Sequence, residues 1–212
     1  MYDLPYHKEQ NEEAVEQFIS DHPFALLTGC DAQGIPVATQ IPLLMEKRNG
    51  EIVLRGHIMR KTDHHNAFAQ NDNVLVVFTG NHVYVSGAWY RDPHIPSTWN
   101  YMSVHARGKI RFLDGDALAQ VLRDTSLHFE DNDKASPTIY DNLSTQLRER
   151  LVKAIVAFEV QVTHIDTVFK LSQDRDRESY CKIIEQLKQR GEDGRKVAAA
   201  MEVRMKDLFP EE

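Results

Sequence analysis

The chain has 212 residues, of which 42% are hydrophobic and 27% charged, and its formal net charge is −7. This balance predicts a globular protein with a sizeable core rather than a disordered one. An acidic chain does not favour nucleic-acid binding, which needs clustered cations. We expect no membrane span and no signal peptide, and with only two cysteines neither a disulfide framework nor a metal site. The cytoplasm is therefore the expected location.

The first half of the chain predicts a helix followed by an antiparallel meander. Asn11-Glu12-Glu13 is typical of a helix start, and His22-Pro23 blocks its continuation. Asn49-Gly50 is a strong hairpin signal. Thr62-Asp63 predicts the cap of a short helix that reaches about residue 69. The extended runs are 24–29, 36–44, 52–57, 73–79 and 82–86, the last two separated by a turn at Gly80-Asn81.

The second half predicts longer strands between helices. Strands are expected at 99–112, 153–162 and 167–171, and helices from 114, at 143–152 and at 175–208, the last broken near Gly191 and Gly194. Six or more short strands with few long crossovers favour a barrel over a doubly wound sheet. The predicted fold class is mainly β with α.

The first candidate site is the junction between a strand and a capped helix at residues 55–62. Helix N-termini present free N–H groups that suit a phosphate, and Arg60 and Lys61 add full charges beside the Thr62 hydroxyl. The alternative is a solvated basic turn, and spacing alone favours that alternative.

The second candidate is the aromatic segment that holds both tryptophans, Trp89 and Trp99, together with Tyr101. Aromatic side chains around a loop can wall a planar ligand, but they more often belong to a core or an interface. Composition alone leaves the two interpretations open.

The third candidate is Phe169–Arg175, where a strand leads into polar residues. Alternation directs Lys170, Ser172 and Asp174 to one face. The simpler alternative is a strand-to-helix connection in which Ser172 or Asp174 caps the helix.

Taken together, these motifs resemble the PaiB-type negative transcriptional regulators of the FMN-binding split-barrel group. The resemblance runs along nearly the whole chain. It rests on Met1-Tyr2, Pro5, His7, His22–Ala25, Ile41–Leu44, Gly56-His57, Tyr84–Ser86, Trp89-Tyr90, Thr98–Tyr101, Val104-His105, Lys153–Val156 and Phe169–Gln173.

The resemblance implies a six-stranded split barrel over residues 1–172 and a helical C-terminal segment over 173–212. It also implies FMN as the cofactor and a homodimer with the flavin at the subunit interface. The cofactor-binding residues it implies are His57, Met59, Arg60, Lys61, Thr62, Trp89, Trp99, Tyr101, Lys170, Ser172, Gln173 and Arg175.

Three functions are compatible with this resemblance. The first is a flavin-binding repressor. Its contact with DNA would use the basic stretch formed by Arg175, Arg177, Lys182, Lys188, Arg190, Arg195 and Lys196. The second is a small FMN-dependent oxidoreductase, although no residue stands out as a general base. The third is a haem-binding split barrel, which the ten histidines permit without offering an evident ligand pair.

Overall fold

The structure is a computed structural model that describes residues 1–92 and 94–210; residues 211 and 212, at the end of the predicted C-terminal segment, lie outside it. The helices are α1 (Glu12–Asp21), α2 (Asp63–Gln70), α3 (Asp116–Phe129), α4 (Thr145–Ala154), α5 (Arg177–Lys188) and α6 (Gly191–Leu208). Short 3-10 turns lie at Pro5–His7, Gly87–Trp89 and Tyr140–Asn142.

The strands are β1 (Phe24–Cys30), β2 (Pro36–Pro42), β3 (Leu44–Arg48), β4 (Glu51–Met59), β5 (Asn73–Val85), β6 (Thr98–Leu113) and β7 (Ile155–Lys170). They form one sheet in the order β2-β1-β5-β6-β7-β4-β3. β1 pairs antiparallel with β2 and β5, and β4 pairs antiparallel with β3 and β7. The described residues therefore contain seven sheet strands, and the prediction of six was wrong.

Two breaks that the sequence predicted between consecutive strands are absent from the described residues. β5 continues through Gly80-Asn81 because the alternation of buried residues at Val74, Val76 and Phe78 extends to Gly80. β7 continues through residues 163–166. Two of these four residues are exposed and two are half-buried, so their sequence is hard to distinguish from a loop. Conversely, the predicted strand at 36–44 is two strands, separated at Leu43, whose N–H donates to the Pro23 carbonyl at 2.8 Å.

The chain divides into two compact units. The first unit comprises Met1–Phe18, Thr79–Val104 and Asp166–Glu212. Its core includes the facing sides of α5 and α6, from which Tyr180 and Met201 are completely buried. The helical pattern at 175–208 is thus two helices, as the glycines predicted, and α6 begins at Gly191 with φ 65°.

The second unit comprises Ile19–Phe78 and His105–Ile165. Its core is built from alternate residues of β1, β4, β5 and β7, among which Leu27, Leu54 and Phe158 are fully buried. The hairpin between β3 and β4 turns at Asn49 and Gly50, both with positive φ, as the sequence predicted.

Candidate functional site

In the second unit, β4 delivers the first candidate site to the start of α2. Gly56 is buried, and a Cβ there would lie 2.8 Å from the Leu43 side chain and 3.1 Å from the Pro42 carbonyl oxygen. His57 and Met59 alternate with it on the other face of the strand, and Met59 is 62% exposed. Burial lowers the pKa of His57, so its imidazole is neutral at pH 7.

α2 begins as the sequence predicted. The Thr62 hydroxyl accepts a hydrogen bond from the His65 backbone N–H at 3.3 Å and donates to the Met59 carbonyl at 3.1 Å. This N-cap holds the first turn of the helix directly against the end of β4.

The side chain of Arg60 is bonded to residues of its own unit. Its Nε donates to the Ile155 carbonyl at 2.8 Å, and its guanidinium forms an ion pair with Asp114. These bonds tie the end of β4 to β7 and to the segment before α3. Arg60 therefore shapes the junction through its Nε and Nη2 atoms.

Lys61 differs from its neighbour. Its backbone has φ 63°, in the left-handed region, and its N–H donates to His65 Nδ1 at 3.1 Å. Its side chain is exposed, and its ammonium has no ion pair within the described ranges. Lys61 is thus the cation of this junction that can meet a ligand.

The sequence did not predict a network of charged residues that lies near β4. Arg55 pairs with Glu46 at 3.0 Å and with Asp124 at 2.9 Å, while Arg48 joins Glu46 to Glu159. The hydrogen bonds from Arg48 lower the pKa of Glu46, so this carboxylate stays ionised. The partners are up to 111 residues apart in sequence, and no local pattern announces them.

In the first unit, Lys170 and Ser172 both reach one side of β6. The Lys170 ammonium bonds the Thr98 hydroxyl and donates to the Trp99 carbonyl at 2.8 Å. Ser172, with φ 61°, is buried and donates to Asn100 Oδ1 at 3.0 Å. Burial lowers the pKa of Lys170, although Asp174 partly opposes this effect.

Gln173 is also engaged internally. Its Oε1 accepts from the Leu171 N–H at 2.7 Å and lies 3.2 Å from Nδ1 of His7, which is 2% exposed, and its Nε2 donates to the Phe169 carbonyl. Because Oε1 can only accept, His7 Nδ1 carries the proton. Gln173 therefore anchors the N-terminal segment to the end of β7.

Arg175 lies over the ring of Tyr90, 4.9 Å from the centroid, and pairs with Asp174 at 3.0 Å. Trp89 is covered in a similar way by Arg190, at 4.7 Å. Each aromatic residue of this segment thus stacks with an arginine of the first unit.

The predicted aromatic residues of β6 point away from these groups. Thr98 and Asn100 alternate with Trp99 and Tyr101, so the two pairs lie on opposite faces of the strand. Lys170 and Ser172 bond the first pair, whereas Trp99 is 53% exposed beside the Tyr84 ring at 6.0 Å. The structure therefore places on opposite faces of β6 two sets of residues that the resemblance assigned to one cofactor site.

The predicted basic stretch is largely neutralised within the first unit. Lys182, Lys188 and Lys196 each pair with a glutamate at 2.5–2.8 Å. Only Arg177 and Arg195, of the seven cations in this stretch, have no ion pair or ring contact among the described residues.

The family model described as "Putative FMN-binding domain" matches residues 1–164. A relative from Bacillus subtilis, protease synthase and sporulation protein PAI 2, is 34% identical over 97% of this chain and 99% of its own. The chain belongs to this FMN-binding family. It is a PaiB-like flavin-binding domain, which confirms the resemblance predicted from the sequence.

Solved structures confirm the split-barrel fold class. The flavocytochrome Anf3 of Azotobacter vinelandii gives a TM-score of 0.58 at 16% identity, covering 85% of this chain and 78% of its own. The FAD and haem binding protein of Mycobacterium smegmatis gives 0.55 at 17% identity, covering 77% and 73%. At these identities the likeness concerns the fold alone.

The part of the chain that the structure describes contains neither a membrane-spanning helix nor a cluster of metal ligands. No helix there has the length and apolar character to cross a bilayer. No group of three His, Cys, Asp or Glu residues there could hold a metal ion.

Proposed function

We propose that this chain binds FMN and acts as a negative regulator of the PaiB type, as a cytoplasmic homodimer. The regulatory role rests on its similarity to PAI 2 over nearly the whole of both chains. The observation that carries the choice of cofactor is the β4–α2 junction. There an unpaired lysine stands beside the capped N-terminus of a helix, a combination suited to one terminal phosphate.

In this proposal Lys61 binds the phosphate at the start of α2, while Arg60 fixes the junction through Asp114. His57 and Met59 share a face of β4 and border the ring. Bound flavin would supply the redox chemistry; the chain's part is to hold it.

The remaining predicted residues receive other roles in the proposal. The exposed Trp99, with Tyr101, forms the seam with a second copy, and Trp89 braces the segment beside it. The seam is stabilised indirectly by four residues that do not contact the second copy. Most of their hydrogen-bond donors are already used inside the first unit; they are Lys170, Ser172, Gln173 and Arg175.

Replacing Lys61 by alanine should weaken FMN binding about 10- to 100-fold, the loss expected for a charge-assisted phosphate contact. Riboflavin, which lacks the phosphate, should bind both proteins equally. Titration followed by flavin fluorescence measures both ligands, and exposed Lys153→Ala is the control. Equal losses for FMN and riboflavin would refute the phosphate assignment.

Sedimentation of the FMN-loaded wild-type protein should give the mass of two copies. A monomer would refute the proposed seam.

Direct contact with DNA should be weak, because only Arg177 and Arg195 of the predicted basic stretch are unpaired among the described residues. Two phosphate contacts predict a slope of about −2 for log affinity against log salt. Fluorescence anisotropy with a duplex, with and without FMN, measures it, and a double change of both arginines to glutamine should remove binding. No binding at low salt in either state would exclude the direct repressor.

A further inference from the structure

The side chain of His65, in the first turn of α2, reaches back to the lysine at the end of β4. Its Nδ1 accepts a hydrogen bond from the Lys61 backbone N–H at 3.1 Å. Because a backbone N–H can only donate, Nδ1 carries no proton and the imidazole proton is on Nε2. Burial lowers the pKa of His65, the charge of Arg60 adds to this effect and Asp114 opposes it, so the ring is neutral at pH 7.

This hydrogen bond holds a backbone conformation that a lysine does not favour. Lys61 has φ 63°, in the left-handed region, where a residue with a Cβ is strained. The bond spans this φ angle, because it joins the N–H of Lys61 to a side chain four residues later. The direction in which the Lys61 side chain leaves the backbone depends on the same angle. His65 therefore stabilises the conformation that sets the direction of Lys61.

The imidazole is fixed in place by two further contacts within the second unit. Its ring is T-shaped against the Phe112 ring of β6, with centroids 4.9 Å apart. Its backbone N–H donates to the Thr62 hydroxyl at 3.3 Å, in the N-cap of α2. The two residues thus form a reciprocal cap that resembles a capping box. It differs in that the third helical residue is histidine, and its side chain accepts from the residue before the cap.

We propose that His65 is a positioning residue that sets the preference of the β4–α2 junction for a phosphorylated flavin. It holds Lys61 in the conformation that presents the ammonium to the phosphate, and it contacts neither the phosphate nor the ring. This inference rests on the proposed flavin site and adds a residue outside the set that the resemblance implied. Because His65 acts through Lys61, its effect should disappear when the Lys61 ammonium is removed.

The test is the ratio of FMN affinity to riboflavin affinity, measured by fluorescence titration of the full-length protein. His65→Phe keeps an aromatic ring against Phe112 but has no acceptor for the Lys61 N–H. The ratio should fall about 5- to 10-fold, the loss expected when the left-handed conformation loses its support. His65→Asn places an amide oxygen where Nδ1 lies, so this variant should keep the wild-type ratio.

Two comparisons separate positioning from a general loss of structure. The matched control is His128→Phe, because His128 also lies 4.9 Å from a phenyl ring, that of Phe129, and has no hydrogen bond among the described residues. It should leave the ratio unchanged. In a Lys61→Ala background, His65→Phe should lower the ratio no further, because the group that it positions is gone. An equal loss in both backgrounds would overturn the proposal.

A spectroscopic test needs no flavin. Heteronuclear NMR of isotope-labelled, flavin-free protein should show the proton of His65 on Nε2 at neutral pH, in a signal that His65→Phe removes. A proton on Nδ1 would overturn the proposal whatever the flavin results.

The binding data also distinguish this proposal from the function on which it rests. If Lys61→Ala binds FMN as tightly as wild type, the proposed phosphate site fails. If Lys61→Ala loses affinity and His65→Phe keeps the wild-type ratio, the phosphate site stands and the positioning role is overturned.

Discussion

Alanine at position 108 should lower the free energy of unfolding by about 3 kcal/mol, the upper range for overpacking a tight interior. Gly108 is buried in β6, where a Cβ would lie 2.3 Å from the Gln161 carbonyl oxygen and 2.8 Å from a methyl group of Val160. The closest of these atoms is backbone of β7. It cannot move without separating two paired strands, so the methyl group forces the sheet apart.

Urea denaturation measures this loss, with Gly34→Ala as the matched control. Gly34 lies in an exposed turn with φ 80°, where an added Cβ would meet no atom of the described residues within 4 Å. Alanine there should cost about 1 kcal/mol through backbone strain alone. Equal losses in the two variants would show that the approach of β6 to β7 is not restrictive.

Stability should also fall steeply in alkaline solution because of Tyr180. This residue is completely buried, and its hydroxyl donates to the Met201 carbonyl at 3.0 Å. Burial raises its pKa to about 12 from an ordinary value of 10. Between these two values the unfolded chain releases a proton that the folded chain keeps, so rising pH favours unfolding. The full contribution is about 2–3 kcal/mol by pH 12.

Tyr180→Phe isolates this effect from the titration of other groups. The variant should lose about 1 kcal/mol at neutral pH with its hydrogen bond. Its stability should then fall less than that of wild type above pH 10, so the two curves converge or cross. Chemical denaturation across the alkaline range measures this, and parallel curves would contradict the assignment.

Local patterns predicted the elements whose causes are local. The Asn49-Gly50 turn and the Thr62 cap follow from a few neighbouring residues, and both are present in the structure. The continuity of β7 could not be predicted in this way. Its middle residues are polar, and their contacts come from distant segments, such as Lys8 on Asp166.

The same limit applies to the site. The sequence marked Arg60 and Lys61 as equivalent cations, but contacts 54 and 95 residues away, with Asp114 and Ile155, distinguish them. Likewise the resemblance grouped Trp99 with Lys170, although the pleat of β6 directs the indole away from the Thr98 side chain that Lys170 binds. Side-chain direction follows from strand register, which the sequence left open.

The two outermost strands have a consequence for how copies of this protein can associate. β2 begins and ends with a proline, Pro36 and Pro42, and neither can donate a backbone hydrogen bond to a neighbouring strand. At the other edge, β3 carries Glu46, Lys47 and Arg48 in succession. Prolines and charges of this kind oppose edge-to-edge growth of sheets into aggregates. The two edges therefore oppose open-ended polymerisation of the protein at high concentration.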